Sequence, residues 1–214
     1  MLNLGPRTKI AAFDVDAQKC FTELCPNELP VPGALDIVDE LNVQAEKASV
    51  RLGSKDSHPV DAVWEATEHA PMLTPVEGDN VDVRWPRHGV PGTLGFELID
   101  GLPAVKDYDY FVWKGVEPDM HPYGACFHDL SDQLSTGVIE YLRDREIDTV
   151  IVGGLALDYC VKVTALQLVK AGFRVVVNMA ATRGLASESS KAALQELEAA
   201  GVDVVENASM LLVN

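Results

Sequence analysis

The 214-residue sequence has little positive charge, with 17 Lys and Arg residues against 33 Asp and Glu residues and a formal net charge of −16. Nucleic acids and anionic membranes bind basic patches, so we expect neither as a partner. No apolar run approaches the roughly 20 residues of a membrane-spanning helix. The N-terminus, MLNLGPRTKIAAFDVD, has too short an apolar stretch for a signal peptide, which predicts a cytoplasmic protein.

Cysteine is scarce and irregularly spaced. The four cysteines form no zinc-ribbon or redox CxxC pattern, and without an export signal we expect reduced thiols. They are Cys20, Cys25, Cys126 and Cys160. The hydrophobic fraction of 47% is that of an ordinary globular protein, and the chain is long enough for one large domain with a core. Whether the chain forms a homo-oligomer stays open.

Predicted strands and helices alternate along the chain. Apolar runs predict strands at 8–16, 49–58, 109–115, 148–156, 173–180 and 202–205. Helical patterns predict helices at 31–48, 128–147, 158–172 and 187–201. Residues 59–107, rich in Pro, Gly and Asp, are expected to form a long loop. The alternation indicates a single α/β domain over 1–214, with a mostly parallel sheet covered on both faces.

Polar residues follow four of the predicted strands. In open α/β sheets, ligands bind beyond the carboxyl ends of the strands, so these residues define the candidate site. They are Asp14 and Asp16 in FDVDAQKCF, Asp56 and His58, Lys114, and Cys160 in GGLALDYC.

Cys160 is the candidate nucleophile. Its predicted position is the first turn of a helix, where unpaired backbone N–H groups and the helix dipole favour a thiolate. A thiolate beside backbone amides suits attack on an acyl carbon and stabilisation of the resulting oxyanion. Lys114, at the end of an apolar strand, would lower the thiol pKa from nearby. The alternatives are a buried inert cysteine and a lysine that extends to solvent.

Asp56 and His58 form a candidate metal site. Alternate residues of a strand point the same way, so both side chains can face one cation. His88, in the turn RWPRHGVPGT, is a candidate third ligand. One Asp with two His leaves open positions on Zn²⁺, Mn²⁺ or Fe²⁺. Surface or loop histidines are the alternative, and His69, His121 and His128 have no comparable context.

Five segments together resemble the isochorismatase-like cysteine hydrolases, over about residues 8–183. The first strand ends in that family's pattern of Asp-x-Gln with a Phe three residues later, here Asp16, Gln18 and Phe21. KDSHP is similar to the family's metal-binding strand end, and WPRHGVPGT to its WP-x-H motif. WKG is similar to its lysine-bearing strand, and GGLALDYCVKVTAL to its nucleophile loop.

The resemblance implies a three-layer α/β/α fold and a metal-dependent amidohydrolase of NAD salvage. Nicotinamide and water would give nicotinate and ammonia through a thioester on Cys160. It implies Asp16, Lys114 and Cys160 as catalytic residues, and the N–H groups of Ala156 and Cys160, after a cis Leu155–Ala156 bond, as the oxyanion hole. It implies substrate contacts from Gln18, Phe21, Leu155 and Tyr123, and a divalent metal, zinc first with Mn or Fe as alternatives, on Asp56, His58 and His88.

Three departures from the family pattern bear on the substrate. PVDAVW follows His58 where many relatives have a second His, Gly89 stands where they usually have Cys, and HPYGACF replaces an Asp-x-Tyr-Ser-x-Phe pattern. Another carboxamide or a ureido acid is therefore an alternative substrate. FDVDAQ also resembles the start of haloacid-dehalogenase-like phosphatases, with Asp14 as nucleophile, although the later acidic pair is absent. A ligand-binding relative without turnover is the third alternative.

Overall fold

The computed structural model describes residues 1–214, and its centre is a six-stranded parallel sheet. A small two-stranded parallel sheet, β1 (Leu2–Asn3) with β8 (Leu211–Leu212), joins the chain ends. The six strands of the central sheet are β2 (Ile10–Val15), β3 (Val50–Asp56), β4 (Tyr110–Lys114), β5 (Thr149–Leu155), β6 (Arg174–Arg183) and β7 (Asp203–Val205). Their order across the sheet is β4-β3-β2-β5-β6-β7.

Helices cover both faces of this sheet. The helices are α1 (Val38–Glu46), α2 (Val138–Asp144), α3 (Lys162–Lys170) and α4 (Ser187–Ala199). Phe13 and Val15 of β2 face a core shared with α2, α3 and α4, whereas Ile10 and Ala12 face a second core that includes Ala45 of α1. Every residue of β2 is buried. The predicted fold class, a mostly parallel sheet between helical layers, is confirmed.

Two predicted helices are shorter than expected, for local reasons. The first begins at Val38 after a 3₁₀ turn, because Gly33 has a left-handed φ of 73° and breaks the helical path. The second begins at Val138, after Gly137 with a φ of 86°. The Asp129 carboxylate accepts backbone N–H groups of Gln133 and Leu134, and these bonds hold a turn where the helix was predicted.

The stretch 59–107 is an irregular excursion, as predicted, with a single 3₁₀ turn at Val105–Asp107. It has a small core of its own, in which Trp64, Val81 and Trp85 are buried together. Tyr123 and Tyr159 pack against this core, so the excursion is held beside the carboxyl end of the sheet. None of the helices has the length and apolar character needed to span a bilayer.

Candidate active site

The carboxyl ends of three adjacent strands bring together buried charged side chains. Asp16 directly follows β2, Asp56 ends β3, and Lys114 ends β4, where the parallel register pairs it with Asp56. Cys160 arrives from β5 through a π-helical turn, Leu157–Val161, that precedes α3. Asp16 itself has a left-handed φ of 46°, which turns the chain out of the sheet. The peptide bond between Leu155 and Ala156 is cis.

Lys114 lies at the centre of this group. Its ammonium nitrogen Nζ is 3.1 Å from Asp16 Oδ2 and donates to the Sγ atom of Cys160 at 3.6 Å. It also donates to Asp56 Oδ1 and, at 3.0 Å, to the backbone carbonyl of Pro122. All four side chains in the group are buried. One ammonium therefore contacts both carboxylates and the thiol away from bulk water.

Two neighbouring side chains hold the carboxylates in place. Ser54 Oγ donates to Asp16 Oδ1 at 2.6 Å and accepts the Asp16 backbone N–H at 3.2 Å. The side-chain amide of Gln18 donates to the Asp56 backbone carbonyl at 2.9 Å and accepts the Asp56 N–H at 2.7 Å. Gln18 thus ties β3 to the segment after β2, and both ends of its amide are used within the protein.

Burial and the central ammonium determine the protonation of the group. Burial raises the pKa of Asp16 to about 6, against the opposing effect of Lys114. Burial also raises the pKa of the Cys160 thiol well above its usual value, and Lys114 offsets only part of this. Burial lowers the pKa of Lys114, but the Asp16 and Asp56 carboxylates outweigh it and raise that pKa well above its usual value.

At neutral pH these directions describe an Asp16 carboxylate, a Lys114 ammonium and a protonated Cys160 thiol. The thiolate expected from the helix start is therefore not the resting form, because burial outweighs the helix and the lysine. A buried thiol of this kind needs a base to become a nucleophile. A carboxylate oxygen of Asp16 lies within 4.8 Å of the Cys160 sulfur, so Asp16 is a candidate for that base.

His58 and His88 stand beside Asp56. Their Nε2 atoms lie 3.5 Å and 3.6 Å from its carboxylate oxygens. The Nδ1 atoms face backbone carbonyls, 3.1 Å from Gly115 for His58 and 2.7 Å from Pro86 for His88. Carbonyls accept only, so each Nδ1 carries its hydrogen and each Nε2 lone pair points to the space beside Asp56.

This donor set fits a divalent metal ion. Burial lowers the pKa of His58, which keeps the imidazole neutral. Burial opposes ionisation of Asp56, but Lys114 and His58 hold its pKa well below the usual range. His58 Nε2 is buried without a hydrogen-bond partner. Neutral imidazoles with a carboxylate are ligands suited to zinc and similar ions.

His121 also lies at this site, although sequence reasoning gave it no role. One ring nitrogen from each of His58, His88 and His121 lies within 4.8 Å of the others. The His121 ring stacks on that of His58 with centroids 4.9 Å apart. His121 lies in an irregular loop seven residues after Lys114 and belongs to no periodic pattern, although it is the first residue of the quoted segment HPYGACF. Two signals were available in the sequence: its closeness to the end of β4, and its place in a segment that departs from the family pattern.

A small cavity, lined mostly by hydrophobic residues, opens over Cys160. Of the predicted substrate contacts, Phe21 and Tyr123 line it, whereas Gln18 and Leu155 do not. Leu155 is buried in the cluster that contains Phe21 and Ala156. The Tyr123 hydroxyl accepts the indole N–H of Trp85 at 3.1 Å, which fixes two aromatic walls against each other. The lining also includes Asp56, His88, His121, Ala156 and Tyr159.

Asp14 is held by a separate group of residues. Its Oδ2 atom is 2.7 Å from Arg51 and accepts the Tyr108 hydroxyl at 2.9 Å. Strand alternation turns it to the α1 side of β2, where burial raises its pKa against the effect of Arg51. Asp14 is therefore tied into a buried ion pair and is absent from the cavity lining. Cys20, Cys25 and Cys126 are free and buried, also outside that lining.

Comparison with known proteins agrees with this geometry. The Isochorismatase domain model matches residues 11–209. A nicotinamidase of Acinetobacter baylyi is 30% identical over 99% of both chains. A solved nicotinamidase-pyrazinamidase of Acinetobacter baumanii superposes with a TM-score of 0.86 at 30% identity, covering 95% of this chain and 99% of that one.

The pyrazinamidase of Pyrococcus horikoshii, solved in complex with zinc, has a TM-score of 0.72 at 26% identity, covering 92% of this chain and 98% of that one. The phosphatase interpretation of Asp14 is wrong, because the match covers the whole core and the residue is engaged by Arg51. The chain belongs to the isochorismatase family, as a nicotinamidase-like amidohydrolase of that superfamily.

Proposed function

We propose that the protein converts nicotinamide and water into nicotinate and ammonia through a thioester on Cys160. The observation that carries this proposal is the contact of one ammonium, Lys114 Nζ, with both Asp16 and Cys160 at the base of an aromatic cavity. The nicotinamidase relatives support the choice of substrate. We treat residues 1–214 as one hydrolase domain, because every residue of the site belongs to one sheet or its adjoining loops.

In the first step Asp16 takes the thiol proton of Cys160. The sulfur then attacks the carboxamide carbon, and the carbonyl oxygen becomes an oxyanion. The N–H groups of Ala156 and Cys160 receive this oxyanion in the proposal, and both residues line the cavity. Lys114 stabilises the thiolate while it exists, since its positive charge lies 3.6 Å from Sγ.

In the second step Asp16 returns its proton to the leaving nitrogen. The C–N bond breaks, ammonia departs and the acyl group stays on sulfur as a thioester. A water then gives a proton to Asp16 and adds its oxygen to the thioester carbon. The C–S bond breaks as Asp16 returns this proton to the Cys160 sulfur, and the acid formed leaves as nicotinate while its proton passes to ammonia, so one water is consumed for each amide.

Asp56, His58 and His88 would hold a divalent metal ion, zinc first with Mn or Fe as alternatives. When bound, the ion would supply a Lewis-acid contact for the pyridine nitrogen or a water beside it. Phe21 and Tyr123 would confine the flat ring, since both line the cavity. In this proposal Gln18 positions the backbone of Asp56 rather than touching the substrate, as its two hydrogen bonds indicate.

The test is product formation from nicotinamide. Purified protein loaded with zinc is compared with its Cys160→Ala variant and with a chelator-treated sample, and nicotinate and ammonia are measured together. We expect equal amounts of both products from the loaded protein and none from Cys160→Ala. Turnover by Cys160→Ala would remove Cys160 as the nucleophile. Turnover of another carboxamide or a ureido acid, with nicotinamide untouched, would reject the substrate and keep the thiol chemistry.

A further inference from the structure

His121 is a buried imidazole with no hydrogen bond to either ring nitrogen. Its exposed fraction is 4%, and both Nδ1 and Nε2 lack a partner. The backbone around it is fixed, because its N–H donates to the Asn80 carbonyl at 2.8 Å. Polar groups buried this deeply are almost always paired, so the unpaired ring indicates a binding partner that the protein chain does not supply.

The neighbours of His121 indicate what that partner is. The ligating nitrogens of His58, His88 and His121 lie within 4.8 Å of one another. The hydrogens of His58 and His88 are committed to backbone carbonyls, so their Nε2 lone pairs face this space. Metal–nitrogen bonds of about 2.1 Å around a tetrahedral ion place neighbouring ligands about 3.4 Å apart. Because the three nitrogens lie within 4.8 Å of one another, no pair has to close by more than about 1.4 Å to bind one ion.

We propose that His121 is a direct ligand of the metal ion, which is then held by three imidazoles and the Asp56 carboxylate. This inference rests on the metal site of the proposed function and adds a ligand to it. Ring nitrogens of three histidines converge beside the Asp56 carboxylate, which supplies the negative charge. No hydrogen-bond donor or acceptor of the protein competes for the His121 nitrogens.

A three-His, one-Asp site has consequences for metal choice and for the substrate. Nitrogen-rich sites favour Zn²⁺, Co²⁺ and Ni²⁺ over Mn²⁺ and Mg²⁺, which prefer oxygen ligands. Four protein ligands leave one or two positions on a five- or six-coordinate ion. Those positions face the cavity, because Asp56, His88 and His121 all line it. The metal would therefore accept one or two small donors, from the substrate or from water.

His121 has another structural explanation as an aromatic wall. Its ring lies edge-on to Trp64, with centroids 4.4 Å apart, and stacked with Trp85 at 6.0 Å. A wall residue would keep its packing in a variant of similar size and would not change metal affinity. A ligand would lose affinity in every variant that lacks the imidazole. Metal binding, measured without substrate, separates the two roles.

The experiment titrates metal-free full-length protein with Co²⁺, and records both the visible absorption spectrum and the affinity in competition with a chelator. The variants are His121→Ala and the larger His121→Gln, with His88→Ala as the reference for loss of a ligand. His69→Ala, at an exposed histidine, is the matched control. We expect both His121→Ala and His121→Gln to weaken Co²⁺ binding by about 10- to 100-fold. We also expect the visible spectrum of the bound Co²⁺ to change.

Each outcome decides the question. Wild-type affinity and an unchanged spectrum in His121→Gln, alongside weakened binding in His88→Ala, would overturn the role of His121 and leave the metal site intact. Absence of stoichiometric Co²⁺ or Zn²⁺ binding by the wild type would overturn the metal site and this inference together. If His121→Ala loses its native circular dichroism, the result from His121→Gln decides alone.

Discussion

Replacing Asp16 by Asn is the sharpest test of the chemistry, because the substitution changes one carboxylate into a neutral group of the same shape. Asn keeps a carbonyl oxygen to accept the Ser54 hydroxyl, which is 2.6 Å away in the native protein. It cannot take a proton from Cys160. Lys114 keeps its partner Asp56, so the buried ammonium is still neutralised.

The thiol pKa sets the size of the effect. The ordinary thiol pKa of 9.0 is raised further by burial of Cys160, so at pH 7 fewer than about one thiol in a hundred ionises unaided. Removing the Asp16 charge lowers the thiol pKa somewhat, because that charge opposes the thiolate. A general base contributes about 10²–10⁴ in rate. We expect kcat/KM of Asp16→Asn to fall by about that factor.

The pH profile gives an independent readout. In the proposed mechanism Asp16 works as a carboxylate, and burial raises its pKa to about 6, so we expect wild-type kcat/KM to fall as the pH drops through 6, to about a tenth at pH 5. We call this fall in kcat/KM at low pH the acid limb of the profile. The Asp16→Asn variant loses the acid limb, because no group titrates in place of Asp16. The assay is ammonia release from nicotinamide between pH 4.5 and 8.5, in zinc-loaded samples with matched melting temperatures.

Asp14→Asn is the matched control, two residues away on the same strand. It weakens the ion pair with Arg51 and the bond from Tyr108, so we expect a loss of about 1–3 kcal/mol in unfolding free energy and activity within a few-fold of wild type. If Asp16→Asn keeps more than a tenth of the wild-type kcat/KM and its acid limb, Asp16 is not the base and the reasoning fails.

Three further changes have distinct expected results. Lys114→Met leaves two buried carboxylates without the lysine cation, so we expect the free energy of unfolding, measured by chemical denaturation, to fall by about 3–5 kcal/mol. We also expect the acid limb of the kcat/KM profile to move above pH 6, since Lys114 lowers the pKa of Asp16. Ser54→Ala removes a hydrogen bond that also lowers that pKa, so the limb moves upward by a smaller amount and the rate at neutral pH changes little. Gly115→Ala places a methyl group against the His58 ring, at a position with a backbone φ of 69°. We therefore expect weaker zinc binding in a chelator titration and a lower melting temperature. Unchanged zinc affinity would show that His58 does not hold the metal.

The strands were predictable because a buried parallel strand is a nearly continuous apolar run. The segments 148–156 and 173–180 correspond closely to Thr149–Leu155 and Arg174–Arg183. The helices predicted at 31–48 and 128–147 begin later than predicted, at Val38 and Val138. The apolar pattern of the sequence extends into the segments that precede them. Left-handed glycines at 33 and 137 stop the helix there, and a glycine's φ depends on the surrounding turn rather than on local composition.

The residues at strand ends were also predictable, since parallel strands bring their carboxyl ends to one edge. His121 was not, because its position depends on an irregular loop. That loop is pinned by a hydrogen bond from His121 to Asn80, a residue in the 59–107 excursion. Contacts between two irregular segments leave no periodic pattern in the sequence. The protonated thiol was missed for a related reason, since burial of Cys160 comes from packing across the whole site.

Asp56 connects the two halves of the site. Strand alternation predicted that it would face the same cation as His58, and its carboxylate does lie 3.5 Å from His58 Nε2. The register of β3 against β4 also sets it beside Lys114, an alignment that no local pattern encodes. Lys114 in turn contacts Asp16 and Cys160. The histidines are therefore connected to the thiol through one carboxylate and one ammonium, so the proposed metal site and the proposed acid–base group share a single buried charge network.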